Sequence, residues 1–572
     1  MPLHYKQISE SQGRALIVLL VRREAEVPES ARRQGGGEEA VARATRRRAR
    51  RGETSREPLP GTGPRPGRAA PVAIVVAGPA DAVPFIRSEP AGSVIAVVCL
   101  DGGGDAEYRA LEAAVTEARG RGCVFRGEPF FLDAEAGNLT GRILDTLHDI
   151  GPLRVRTLDP DPVHDDIDKE RKLPVVNEPE ARGRVARSAL RAARRYQLAV
   201  GTPVFVECRR AGVEAGLPAE ACTRYPLPTR WLMAGTDGRL SAYLPTAAGV
   251  VRWTEGATES ERWRGPELLE GPELMPGLTV LRGPEGYAHL IGLSRSKRRE
   301  GGFAVEVVCA TQYQTGRPVG PWTSIGNPNG ASWQKAREVG FPAATFDAAG
   351  VLHLFVRNFG HSVSARRQSP KGVLSGWETL GGMRTADELT AFPAGDGGVH
   401  MVARARDARA AVHWYRRDAA SGWMEDRRIP VSPFPGSLSA APEAGLVRFR
   451  YAASNEVCVW WPGAQAPIGL GGPDGVGPIG GVTGADIQGW GCTVLVRGGA
   501  GGVAVIGAHP DGRPDTGVWW AESGEPSLVP PAAAFDSRGR VVIATVGTDG
   551  RLRVARQQLG PTGLEFTRWD VQ

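Results

Sequence analysis

The side chains of this 572-residue sequence that could do chemistry fall into a few groups. Asp81 stands alone in the turn Ala77-Gly78-Pro79-Ala80-Asp81-Ala82, directly after the apolar run VAIVV. Further on, His164-Asp165-Asp166 and Asp168 offer one imidazole and three carboxylates, and Glu178 and Glu180 flank Pro179. An imidazole among carboxylates is the donor set of a divalent metal, and a carboxylate beside a metal-bound water is the usual base of a metal hydrolase. Joined by Asp81, this set could form a metal site, although HDDIDKERK also reads as a plain hydrophilic loop. Gly102-Gly103-Gly104 could cradle a phosphate through its N–H groups. It lacks the spacing of a dinucleotide fingerprint, which favours an ordinary strand-to-helix turn. There is no serine nucleophile elbow and no Walker-type phosphate loop. The seven cysteines form no CxxC pair, which argues against a structural zinc site. Cys99 reads as core, and Cys208 and Cys222 are spaced closely enough to bridge.

The elements that must position these groups change character along the chain. Residues 22–70 are rich in Arg, Glu, Gly and Pro and read as a disordered linker, so 1–70 is expected to be a basic tail. The apolar run at 15–21 is too short to span a membrane and reads as an isolated strand. From 71 to 225, strands alternate with helices. Strands are expected at 72–77, 93–100, near 123–132, 153–158 and 202–208. Helices are expected at 106–119 capped by Asp105, with Leu111, Val115 and Ala118 inward; at 140–150, with Ile143, Leu144, Leu147 and Ile150 inward; and at 181–197. Such alternation predicts an α/β domain with a parallel sheet covered on both faces, whose site lies at the carboxyl ends of the strands, where Gly78–Ala82 falls.

From 226 to 572 the pattern becomes a repeat of turn-then-strand units, with turn glycines at 238, 286, 350, 398, 445, 489 and 539, spaced 44 to 64 residues apart. Each unit carries a later tryptophan: Trp263, Trp322, Trp377, Trp423, Trp461, Trp519 or Trp569. Seven units of this length predict an all-β seven-bladed propeller, since sandwich domains need about 100 residues each. Recurring tryptophans in a propeller are blade core more often than ligand platforms. Trp460-Trp461, Trp519-Trp520 and Arg357-Asn358 nevertheless have the residue types of a sugar site, an aromatic face with polar neighbours. His289, His353, His400 and His413 fall on strands and read as packing residues.

The turn at 77–82 resembles the first motif of the LmbE/PIG-L family of zinc-dependent N-deacetylases, Ala-His-Pro-Asp-Asp-Glu. Asn177-Glu178-Pro179-Glu180-Ala181 resembles the family's later His-Pro-Asp-His motif. GNLT at 137–140 and RTLDPDP at 156–162 resemble further family stretches, and the units after 226 resemble PLL-type lectin propellers. ATQYQTGRPVGPW at 310–322 and FVRNFG at 355–360 resemble propeller segments fused to such deacetylases in some actinobacterial proteins. The resemblance implies a Rossmann-like α/β domain and a zinc site, but with its chemistry removed. The first ligand position is Gly78, the base position is Ala80, the last ligand position is Ala181, and Asp81 is the one surviving ligand. Glu178, Glu180, His164 and Asp165 would remain as a polar cleft.

The resemblance thus implies a pseudoenzyme that binds a glycan, glycoconjugate or protein partner through its propeller, with no cofactor. The alternatives are an N-acetyl-sugar deacetylase with zinc in a rearranged site, and a scaffold protein. Charge adds one exclusion: residues 1–70 hold 15 basic and 8 acidic side chains, and the remainder balances at 55 of each. Nucleic-acid binding through the folded part is therefore not expected. The sequence shows no membrane span and no convincing signal peptide, which favours the cytoplasm.

Overall fold

The computed structural model describes residues 19–20 and 70–572, apart from 133–136, 162–163, 165, 177–178, 211–223, 227, 259–261, 300–301, 383, 396, 407, 419–420, 500–501 and 561–562. The expected linker therefore lies outside the described residues. From the apolar run at 15–21, Leu19–Leu20 (β1) is described, and it pairs in parallel with a strand near the C-terminus.

Residues 70–209 build a parallel sheet from β2 (Val72–Val76), β3 (Val94–Cys99), β4 (Val124–Phe125), β5 (Phe130–Phe131), β6 (Arg154–Leu158) and β9 (Phe205–Arg209). The order is β4-β3-β2-β6-β9, with β5 continuing beside β3. The period-2 alternation of β2 explains why both faces are covered. Val72, Ile74 and Val76 pack under α1 (Pro79–Arg87) and α2 (Asp105–Gly120). Ala73 and Val75 pack under α3 (Leu139–Ile150) and α4 (Glu180–Val200). A small antiparallel hairpin of β7 (Asp166–Ile167) and β8 (Pro174–Val175) precedes α4.

Several local expectations change. The Gly-Pro turn is short, because a helix starts at Pro79, whose fixed φ suits a first helical position. Asp105 lies in the first turn of α2 and Gly104 is its cap. On α2 the buried face is Leu111, Ala114 and Ala118, with Val115 only partly covered. On α3, Leu144 is likewise only partly covered. The strand expected near 123–132 is two two-residue strands.

Six four-stranded antiparallel sheets follow, spanning 232–268, 279–326, 343–381, 385–426, 439–471 and 475–526, and a seventh over 532–571 that β1 joins to make six strands. The inner strand of the seventh packs on that of the first, closing a seven-bladed propeller. Hydrophobic clusters lie between neighbouring blades. Six of the seven turn glycines have positive φ at the first hairpin of each blade. In the fourth blade Gly397 takes that role. Gly398 instead sits where a Cβ would meet the Arg416 carbonyl at 2.2 Å. Of the repeated tryptophans, Trp263, Trp322, Trp377, Trp423 and Trp569 pack in or against clusters, whereas Trp461 and Trp519 are exposed. In those two blades the preceding or following residue, Trp460 or Trp520, faces inward and donates its indole N–H to a backbone carbonyl.

Candidate functional site

The sheet order reverses between β2 and β6, which opens a crevice at their carboxyl ends. The loop after β2 carries Asp81. Its Oδ2 accepts the Gly78 N–H at 3.3 Å, and its Oδ1 meets the Arg182 guanidinium at 2.8 Å. Arg182 lies in the first turn of α4, next to Ala181, so a guanidinium stands against the Asp81 carboxylate. The glycine run is an ordinary turn. Gly103 has positive φ and donates to Asp101, and Glu107 Oε2 lies 2.4 Å from where its Cβ would be. That carboxylate occupies the ground an anion would need.

The acids and imidazole of 164–168 do not converge on Asp81. His164 is buried and turned toward the propeller, where Glu338 accepts from its backbone N–H at 3.1 Å and pairs with its Nδ1. Phe359 stacks on the imidazole at 4.7 Å and His361 lies at 4.6 Å. Asp166 sits on the exposed β7–β8 hairpin, and Asp168 closes its turn through the N–H groups of Glu170 and Arg171. Glu180 is exposed at the start of α4. Asp165 and Glu178 lie outside the described residues, as does Cys222, while Cys208 is a buried free thiol. Among the described residues no three His, Cys, Asp or Glu side chains gather as a metal site.

A buried charge network that no motif announces joins the sheet to the propeller. Arg224 reaches Asp159 at 3.3 Å and donates to the carbonyls of Arg337 and Asp161. Arg295 meets Asp161 at 3.2 Å. Arg357, which with Asn358 has the residue types of a sugar site, is buried, bound to Asp387 and to the Glu338 carbonyl. Asn358 is spent on Ser362 and Ser364. Burial raises the Asp159 carboxyl to about 6 against the pull of Arg224. Burial would raise Asp387 too, but Arg357, Arg224 and Arg210 hold it below the usual carboxylate range. His353 and His413 are buried packing residues of the blades, and His400 and His289 are partly covered.

A chamber of about 580 Å³ lies on the propeller axis. Its wall comes from the inner-strand regions of the blades, through segments such as 278–281, 341–344, 387–391, 438–440 and 527–530. Its roof comes from the sheet: Arg154 and Arg156 of β6, Glu207 and Arg209 of β9, and Arg210. Tyr225, Phe341 and Phe434 supply aromatic rings. At the far side, Arg230 pairs with Glu443, both of them solvent-exposed. The chamber is within the size range of small-ligand sites. None of its lining was singled out in the sequence, because it is assembled from positions more than 400 residues apart.

No protein-family model matches the chain, and no curated protein sequence matches it. Among solved structures the chain is similar to the BP39L lectin from Burkholderia pseudomallei, at 12% identity over 61% of this chain and 99% of that one, with a TM-score of 0.44. It is similar also to AofleA from Arthrobotrys oligospora, at 10% identity over 61% and 86%, with a TM-score of 0.34. A third is the SapL1 lectin in complex with alpha methyl fucoside, at 13% identity over 52% and 94%, with a TM-score of 0.33. No helix among the described residues is long and apolar enough to cross a membrane.

Proposed function

We propose that the chain is a saccharide-binding protein whose ligand lies in the axial chamber, and that the α/β domain, an LmbE/PIG-L-type Rossmann-like unit without its catalytic groups, serves as the roof of that chamber. The observation that carries this reading is the chamber itself, which combines aromatic rings with guanidinium–carboxylate pairs such as Arg404–Glu388 and Arg209–Glu207. Such pairs offer donors and acceptors side by side, as vicinal hydroxyls require, and rings cover the apolar face of a pyranose. The pairing of Asp81 with Arg182 supports a roof without hydrolysis, since a carboxylate whose oxygens are engaged by a guanidinium and a backbone N–H is not free to ligate a metal.

A glycan array probed with the full chain tests the reading, followed by calorimetry on the best saccharide. Binding that is lost on Glu388→Ala and kept on Asp81→Ala is the expected result. Failure to retain any saccharide overturns it, as does acetate release from N-acetyl sugars that Asp81→Ala abolishes. The latter would favour the zinc deacetylase alternative, and recovery of a protein partner alone would favour the scaffold.

A further inference from the structure

The charge of the chamber narrows what it takes, an inference that rests on the saccharide-binding reading. Seven arginines line the chamber against four carboxylates, so the wall is net positive. Arg404 is held by Glu388, Arg230 by Glu443, and Arg450 by Asn455 and the Gly475 carbonyl. One further cation stands just behind the wall. Arg497 is 1% exposed and lies over the Trp520 ring at 5.3 Å, and none of its three guanidinium nitrogens has a hydrogen-bond partner among the described residues. Gly475 lines the chamber in front of it. A Cβ there would lie 2.5 Å from the Gly498 carbonyl oxygen and 3.1 Å from Arg497 Cζ, so the guanidinium packs directly against the glycine backbone of the chamber wall. Asp474 is the one acid that bears on Arg497, and burial still draws the guanidinium down to about 10, which leaves it a cation at neutral pH.

A buried guanidinium with no acceptor is costly, and such groups are retained where a ligand satisfies them. A planar carboxylate or a sulfate ester matches the guanidinium fork and gives the strongest charge-assisted hydrogen bonds. We propose that the chamber selects acidic saccharides, taking an anionic substituent of the sugar beside Gly475, between Arg450 and Arg497.

Calorimetry on the full chain tests this with four probes: a uronic-acid tetrasaccharide, its carboxyl-reduced neutral counterpart, a sulfated counterpart of the latter, and inorganic sulfate. The acidic sugars are expected to bind at least tenfold more tightly than the neutral one, and the stronger of the two identifies the substituent. Arg497→Met, of similar length and apolar, is expected to keep the wild-type melting temperature and to lose that tenfold preference while leaving affinity for the neutral sugar unchanged. Should Arg497→Met fail to fold, Arg230→Gln, at a solvent-exposed site, is expected to reduce the same preference. Equal binding of neutral and acidic sugars, untouched by the variants, overturns the inference and leaves saccharide binding standing. Binding of inorganic sulfate with no sugar overturns both.

Discussion

Asp81 keeps both carboxylate oxygens inside the chain, one on the backbone of its own turn and one on Arg182. Its place in a turn after an apolar strand is legible in sequence, but its employment is not, because Arg182 is about a hundred residues away and carries no motif. Asp159 is the opposite case. Nothing in RTLDPDP marks it, yet it is the acid whose environment changes most usefully for measurement. Its folded value of about 6 exceeds the ordinary 3.8, owing first to burial. Between those values the folded chain holds a proton that the unfolded chain has released, so this group's contribution to stability falls as pH rises from about 4 to about 6. Asp159→Asn removes the titration. Urea midpoints of wild type and variant from pH 7 to pH 4 should therefore diverge in favour of wild type as the pH is lowered. A difference that stays flat across that window would show that Asp159 is not shifted.

Helix α4 shows how one element joins the sheet to the propeller. Its buried stripe of Val185, Ala189, Ala192, Ala193 and Tyr196 follows the helical period and covers β2 and β6, which is why it is readable in the sequence. Its last turn carries Gln197, a polar residue near a helix end that no periodic pattern marks. The Gln197 amide oxygen accepts from Val204 N–H at 3.1 Å and Ala248 N–H at 3.2 Å, and its nitrogen donates to Thr246 at 2.9 Å. Gln197→Leu leaves two buried N–H groups without acceptors and should cost about 2 kcal/mol or more, measured by chemical unfolding. A cost within about 0.5 kcal/mol, the usual range for surface changes, would mean that the joint relaxes around the loss. The same contrast runs through the other elements. Period-2 and period-3.6 patterns gave the strands, the helices and the seven blades. Short strands such as Asp166–Ile167 and the helix opening at Pro79 escaped, because two residues carry no period and Gly-Pro reads as a turn.

For the whole molecule, the sheet and the propeller share buried surface and buried charge, and the chamber exists only where they meet. Residues 275, 291, 293, 339 and 341 of the propeller belong to the same hydrophobic cluster as Val206 and Tyr225. Across the joint, Glu338 holds His164, Arg295 holds Asp161, and Asp387 faces Arg210. These pairs join positions 134 to 177 residues apart, so no local pattern could announce them. A fragment of 226–572, cut at the boundary where the sequence pattern changes, would expose that cluster and strand Glu338 without its partner. Breaking buried pairs by removing one partner costs about 3–5 kcal/mol. For a domain of this size that corresponds to a melting temperature lower by roughly 4–7 °C. The fragment should also lose saccharide affinity, since the roof residues Arg154, Glu207 and Arg209 leave with the sheet. Calorimetric melting and saccharide titration of the fragment beside the full chain measure both effects. A fragment that melts with the full chain and binds as tightly would place the ligand on the propeller surface, away from the axial chamber.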